Sequence, residues 1–302
     1  MSVQVTGNWG ALLWPGLNAI YGAEYGEFEV FCDKLFETSN SRKAFEEDIG
    51  TVHYGLARVK NEGSAVQYDT ARQGFKSRYQ HVEYALGFII SKIVMEDDLY
   101  DVVGPDRAQG LAFSMRQTKE VVAHNVYNRA FNSSYTGGDG VELLATNHPN
   151  VSGGTWANEL AVAADLSESS LEQACIDLKK FTNDKGLRIA VQPTSLIIPV
   201  DEEFNAIRIL KSAQRPGTAD NDINALNMMG KFKTIIASPY LTDTDAWFIR
   251  TNVKKSLRHF ERRPDAFTQD NDFDTDNAKY KATARYSFGW SDPKGLFGSP
   301  GA

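Results

Sequence analysis

Five histidines, two cysteines and one acidic run are the residues of this chain that could do chemistry. His53, His81, His124, His148 and His259 stand too far apart for the i, i+4 pair by which a helix offers two imidazoles to zinc, and neither cysteine joins a close Cys/His set. The nucleophile elbow G-x-S-x-G, the phosphate loop G-x-x-x-x-G-K-[ST] and a G-x-G-x-x-G opening a helix are all missing. "TGGDG" has the glycines of a phosphate cradle without its length or its following helix. In "DAFTQDNDFDTDNAKYK", Asp270, Asp272 and Asp274 occupy the first three ligand positions of a calcium loop, and Asp276 continues the alternation. Thr275 replaces the glycine that makes the turn, and Lys281 stands where the closing glutamate belongs, so an EF-hand is excluded. The run reads as a solvated acidic loop, with an irregular calcium site as the alternative. It could also pair with the basic stretch "KKSLRHFERR" of the same or a neighbouring chain. Cys32 and Cys175 lie among apolar residues at helical intervals and read as buried free thiols. The expectation is a non-enzyme with no catalytic residue, no metal ligand and no cofactor.

The elements that must position these residues belong to a folded protein. The chain has 302 residues, 42% hydrophobic and 24% charged, enough for one large or two ordinary domains. A net charge of -7 argues against a general nucleic-acid binder, which needs a basic surface. The N-terminus lacks the basic start and apolar run of a signal peptide. "ALGFIISKIVM" is broken by Lys92 and falls short of the ~20 residues that span a bilayer, so a soluble protein made in a cytoplasm is expected.

The first 50 residues are rich in glycine and aromatics and read as an extended arm, followed by a short helix from about Glu24 to Phe36. "TVHYGLARVK" reads as a strand and "NEGS" as a turn; the return through "AVQYDTARQGFKSRYQHVEY" completes a long polar hairpin that projects and rests on a neighbour. Leu111, Met115, Val122, Val126 and Ala130 mark a long helix from Pro105 to Phe131. From Leu143 to Thr251, strands alternate with helices. One of those helices carries a capping-box pattern from Ser169 to Glu172, and another places Phe204, Ile207 and Leu210 on one face. "SLRHFER" and "KATARYSFGW" restore β character before a small, loose tail, "SDPKGLFGSPGA", which invites the question of what holds it.

This order of arm, projecting hairpin, long helix, α/β unit and return to β structure resembles the major capsid protein of tailed bacteriophages, the Hong Kong 97 fold. Local segments agree. "GFIISKIVMEDDLYDVV" resembles the approach to the spine helix, and "LLATNHPNVSGGTWAN" is similar to a segment of Mu-like head subunits. "SLIIPVDEEFNAIRILKS" and "SPYLTDTDAWFI" resemble A-domain steps, and "ARYSFGWSDPKGLFGS" the family's C-terminal signature. The resemblance covers residues from about Ile49 to the end.

What the resemblance implies is an α+β chain with residues 1–48 as an N-terminal arm and 49–82 as the E-loop hairpin. Residues 83–142 with 252–302 would be the P-domain and its spine helix, and 143–251 the A-domain. Function would be self-assembly as hexamers and pentamers into an icosahedral shell around double-stranded DNA, without sequence-specific contact and without a membrane. With only about 48 residues before the hairpin, the implied scaffolding protein is a separate one; a portal is implied too, and a decoration protein is left open. The implied location is the virion head, assembled in the host bacterial cytoplasm. An encapsulin-like compartment shell is the alternative. Expected subunit-interface residues are Trp9, Trp14, Arg58, Lys60 and Glu62, with Arg258, Arg262 and Arg263 on a late strand. Some relatives crosslink a loop lysine to a neighbour's asparagine; Lys60, Lys76 and Asn277 lie in suitable regions, but no activating acid is specified.

Overall fold

The strict alternation of "AKYKATARYSF" makes a strand with alanine and tyrosine on one face and lysine, threonine and arginine on the other. The computed structural model, which describes residues 10–96, 100–215, 222–272 and 277–302, shows that strand at the centre of one of two compact units. In chain order the elements begin with α1 (Gly10–Glu27), α2 (Cys32–Leu35), β1 (Glu37–Asn40), β2 (Phe45–Val52), β3 (Arg72–Gln80) and β4 (Val82–Ile90). Then follow α3 (Lys92–Glu96), α4 (Tyr100–Asn128), β5 (His148–Pro149), β6 (Thr155–Trp156), α5 (Glu168–Lys180) and β7 (Pro193–Pro199). The chain closes with α6 (Glu203–Lys211), α7 (Ala225–Met229), β8 (Thr234–Ser238), β9 (Trp247–Thr251), β10 (Leu257–Asn271), β11 (Ala278–Trp290) and β12 (Leu296–Ser299).

The first unit gathers Met1–Phe45, Gln80–Ala123 and His259–Phe288. Its sheet has the order β1-β10-β11-β4, with β11 antiparallel to β4 from Ala278 opposite Ile90 to Tyr286 opposite Val82. Tyr280, Ala282, Ala284 and Tyr286 form a buried cluster with Ala108, Leu111, Ala112 and Met115 of α4. Small residues at 108 and 112, one turn apart, let the helix backbone approach the sheet. The helix begins at Tyr100, upstream of Pro105, which lies inside it. Only the bond that residue 105 would give to residue 101 is forfeited, so the proline is tolerated near the helix start.

The N-terminal segment departs from its expected extended form. Gly10 to Glu27 is helical, with Leu17 and Tyr21 buried in the same cluster and Tyr25 packed beside it. Leu17, Tyr21 and Tyr25 recur every four residues and lie on one helical face, which outweighs the glycine content.

The second unit gathers Glu46–Tyr79, His124–Arg258 and Gly289–Ala302. Its sheet runs β12-β9-β7-β8, with β7 parallel to β8 and antiparallel to β9. Leu196, Ile198, Trp247, Ile249 and Phe297 form a core with Leu171, Ala174 and Leu178 of α5. The capping box of α5 lies two residues upstream of the expected Ser169–Glu172 pair. Ser167 accepts from the N–H of Ser170 at 3.2 Å, and Ser170 Oγ accepts from the N–H of Ser167 at 2.9 Å. Starting at Glu168 puts Leu171, Ala174 and Leu178 inward, so burial decides which serine caps.

The hairpin is also re-registered. Its strands are β2 and β3, and residues 53–71 between them carry no strand, so "TVHYGLARVK" is mostly loop. The polar "FEEDIGTV" pairs because Glu47 meets Lys76 Nζ at 2.7 Å, and because Gly74 lets the backbone at Gly50 come close. A Cβ at 74 would sit 3.0 Å from the Gly50 carbonyl carbon.

Candidate assembly surfaces

Residues 53–71 leave the body between β2 and β3 and return to it under the control of one carboxylate. Asp69 Oδ2 accepts from the N–H of Gly55 at 2.9 Å, Oδ1 accepts from Thr70 N–H at 2.8 Å, and Lys185 Nζ lies 3.3 Å away. Those backbone N–H groups and then the Lys185 ammonium hold the Asp69 carboxyl below its ordinary range. At the tip, Ser64 N–H donates to the Asn61 carbonyl at 3.1 Å, with Gly63 taking the left-handed φ of 78° that the turn requires. Between base and tip, Tyr54, Leu56, Val59, Val66 and Tyr68 all face solvent, Val59 at 95% and Tyr68 at 94% exposure. Apolar side chains presented on a held loop make residues 53–71 a candidate contact surface.

A second apolar ridge lies on α6. Its expected inward face was Phe204, Ile207 and Leu210; the structure buries Ala206, Ile209 and Leu210 and leaves Phe204 at 71% and Ile207 at 42% exposure. The helix carries two overlapping apolar stripes, and the core takes the one with the small residue Ala206. Met228 and Met229 of α7, the helix packed against α6, are exposed as well.

The expected interface residues fall into three groups. Trp9 lies outside the described residues, and Trp14 lies within α1. Arg58, Lys60 and Glu62 are exposed on the 53–71 loop. Arg258, Arg262 and Arg263 are on β10: Arg258 Nε is 3.6 Å from Asp48 Oδ2, Arg263 pairs with Glu83, and Arg262 is half-buried. In the acidic run, Asp272 pairs with Lys279 at 2.8 Å, while Asp274 and Asp276 lie outside the described residues. The α6 ridge was missed; the extra apolar stripe of "FNAIRIL" is the signal that could have found it.

The buried histidines and cysteines are committed to structure. Both cysteines are buried and free, and burial pushes the Cys32 thiol up to about 12. His259 stacks on Phe288 with ring centroids 4.3 Å apart, and burial lowers its imidazole to about 3. His124 Nε2 meets Ser238 Oγ at 2.8 Å. His148 lies 2.7 Å from Asp139 through Nδ1, as in a catalytic triad, but its Nε2 meets Asn158 Oδ1 at 3.1 Å where a triad would hold a nucleophile. Among the described residues no group of three or more metal-ligating side chains comes together.

The sequence from residue 74 to 298 matches the family model described as phage capsid protein. Compared with curated proteins, the sequence finds no match. The fold is similar to that of a virus-like particle from Pyrococcus furiosus, at 10% identity and a TM-score of 0.57 over 94% of this chain and 98% of the other. It is similar to the procapsid protein of bacteriophage JBD30, at 13% identity and a TM-score of 0.56 over 98% and 76%. The capsid of Myoviridae phage XM1 gives 12% identity and a TM-score of 0.52 over 92% and 95%. With three quarters of its length inside that family model and a matching architecture, the chain belongs to the phage capsid protein family, as a major capsid protein of the Hong Kong 97 fold.

Proposed function

We propose that copies of this chain assemble as hexamers and pentamers into the icosahedral head of a tailed bacteriophage, enclosing double-stranded DNA. The observation that carries the reading is the 53–71 loop, held by Asp69 with its apolar side chains turned outward from a unit whose own core is complete. Residues 1–48 act as the arm, 49–82 as the E-loop, 83–142 and 252–302 as the P-domain, and 143–251 as the A-domain. Arg58, Lys60 and Glu62 then meet a neighbouring subunit, joined by Trp9, Trp14, Arg258, Arg262 and Arg263. A net charge of -7 suits a wall that surrounds DNA without gripping it, since a basic wall would bind phosphates and release counterions. A separate scaffolding protein and a portal complete the assembly in the host bacterial cytoplasm.

The likeness to the Pyrococcus furiosus particle favours a second reading, an encapsulin-like shell around protein cargo. Electron microscopy of the purified chain, alone and from its native particle, tests both. Closed shells or ordered rings support the capsid reading, and DNA inside native particles separates head from compartment. A homogeneous monomer in the native preparation contradicts assembly altogether.

A further inference from the structure

Asn158 is fully buried, and its amide is engaged on every side. Its Nδ2 donates to the carbonyl oxygens of Leu143 at 2.8 Å, Pro293 at 3.0 Å and Leu296 at 3.2 Å. Its Oδ1 accepts from the N–H of Ala145 at 3.0 Å. Turning the amide over would set its oxygen against three carbonyl oxygens, so the neighbours fix its orientation. His148 Nε2 therefore meets an oxygen, at 3.1 Å, and must bring a hydrogen to it. The other ring nitrogen, Nδ1, meets Asp139 Oδ2 at 2.7 Å, while Asp139 Oδ1 accepts from Val141 N–H at 3.3 Å. Two acceptors flank a ring that carries a single N–H when neutral. Asp139, His148 and Asn158 together need one proton more than a carboxylate and a neutral imidazole supply.

We propose that this extra proton makes His148 a pH-dependent pin, fastening the loop from Asp139 to Asn158 onto the C-terminal segment that carries β12. The proposal rests on hydrogen-bond geometry within the second unit and is independent of the capsid reading. With the proton present, both ring nitrogens donate and Asn158 is held square to Pro293 and Leu296. Without it, a nitrogen lone pair faces either the Asp139 carboxylate or Asn158 Oδ1, in a site where the His148 side chain has no exposed surface. The pin loosens as pH rises and closes again as pH falls. The charged groups around it are Asp139 on its own loop and Lys294 from the C-terminal segment. The Lys294 ammonium lies 4.8 Å from the centre of the Trp156 ring, which itself stacks on His148. Asp184 and Asp292 line the same cleft of about 160 Å3.

Hydrogen–deuterium exchange on the full chain tests this, corrected for the intrinsic pH dependence of exchange and read on the amides of 294–299. Wild type is expected to exchange about tenfold faster there at about pH 9 than at about pH 6. Asp139→Asn distinguishes the proton from the mere contact. An asparagine keeps its oxygen for Val141 N–H and turns its NH2 into the Nδ1 lone pair, so a neutral ring with Nε2–H satisfies both ends. That variant is expected to stay closed and lose the pH slope. His148→Gln is expected to exchange fast at both pH values. Emission from Trp156 gives a second readout, since an imidazolium stacked on an indole quenches it; the difference from Trp156→Phe should grow as pH rises. A flat wild-type profile overturns the proposal, as does an Asp139→Asn chain that retains the wild-type slope. If His148→Gln does not fold, Asp139→Asn decides alone.

Discussion

The sheet β12-β9-β7-β8 and the loop at 53–71 belong to the same unit and treat apolar residues in opposite ways. In the sheet, Leu196, Ile198, Trp247 and Phe297 are fully buried against α5, and the indole N–H of Trp247 donates to Ala164 O at 3.0 Å. In the loop, Leu56 is 80% exposed and, among the described residues, nothing covers Val59 or Tyr68. Their type is the same; only the backbone that presents them differs. If the loop is the contact proposed above, folding and assembly draw on separate residues, and assembly can be damaged while the fold stays intact.

Damage to the sheet should have the largest effect. Ile198→Ala removes a fully buried side chain and is expected to cost about 3 kcal/mol, read by urea unfolding, with assembly lost as a consequence. An unchanged midpoint would mean the β7 core is not what holds the unit. Ser167→Ala, which deletes the α5 cap, should cost about 1 kcal/mol while particles still form. On the outward side, Phe204→Glu with Ile207→Glu should leave the unfolding midpoint almost where it was. The sign of its effect on assembly would show whether the α6 ridge is a contact; normal particles would remove it from the list of surfaces.

The first unit supplies the smallest effect, through pH. Burial raises the carboxyls of Asp265 and Glu120, against the pull of Arg116 and backbone N–H groups on the latter. Glu120 accepts from Cys32 N–H at 3.0 Å, and Tyr21 donates to Asp265, so both carboxylates fasten the N-terminal segment. A carboxyl raised by folding holds its proton more tightly in the folded state. Its contribution is complete below the ordinary carboxylate range and is lost as pH rises through the raised value. Replacing Asp265 by asparagine should flatten the fall in stability between that range and neutral pH. A slope unchanged by the substitution would place its source elsewhere.

Much of this was legible from residue order. Alternation in β11, the apolar runs of β7 and β9 and the spacing along α4 all identify their elements, because each is dominated by one face. The departures arise where two patterns compete. Glycines hid the four-residue spacing of Leu17, Tyr21 and Tyr25; charged residues hid β2, which pairs through Lys76 and the glycines at 50 and 74. In α6 the two apolar stripes read alike in the sequence, and the structure buries the one with Ala206, Ile209 and Leu210. The His148 pin could not be read at all, since the ring meets Asp139 and Asn158, and Asn158 in turn donates to a C-terminal segment more than 130 positions away in sequence.

The claim that assembly resides in the loop is tested most directly by deleting residues 59–67 and comparing the variant with wild type by thermal circular dichroism and electron microscopy. The deleted chain is expected to have a body that melts at the wild-type temperature and to form no closed shells. Shells of normal form from the deleted chain would contradict it.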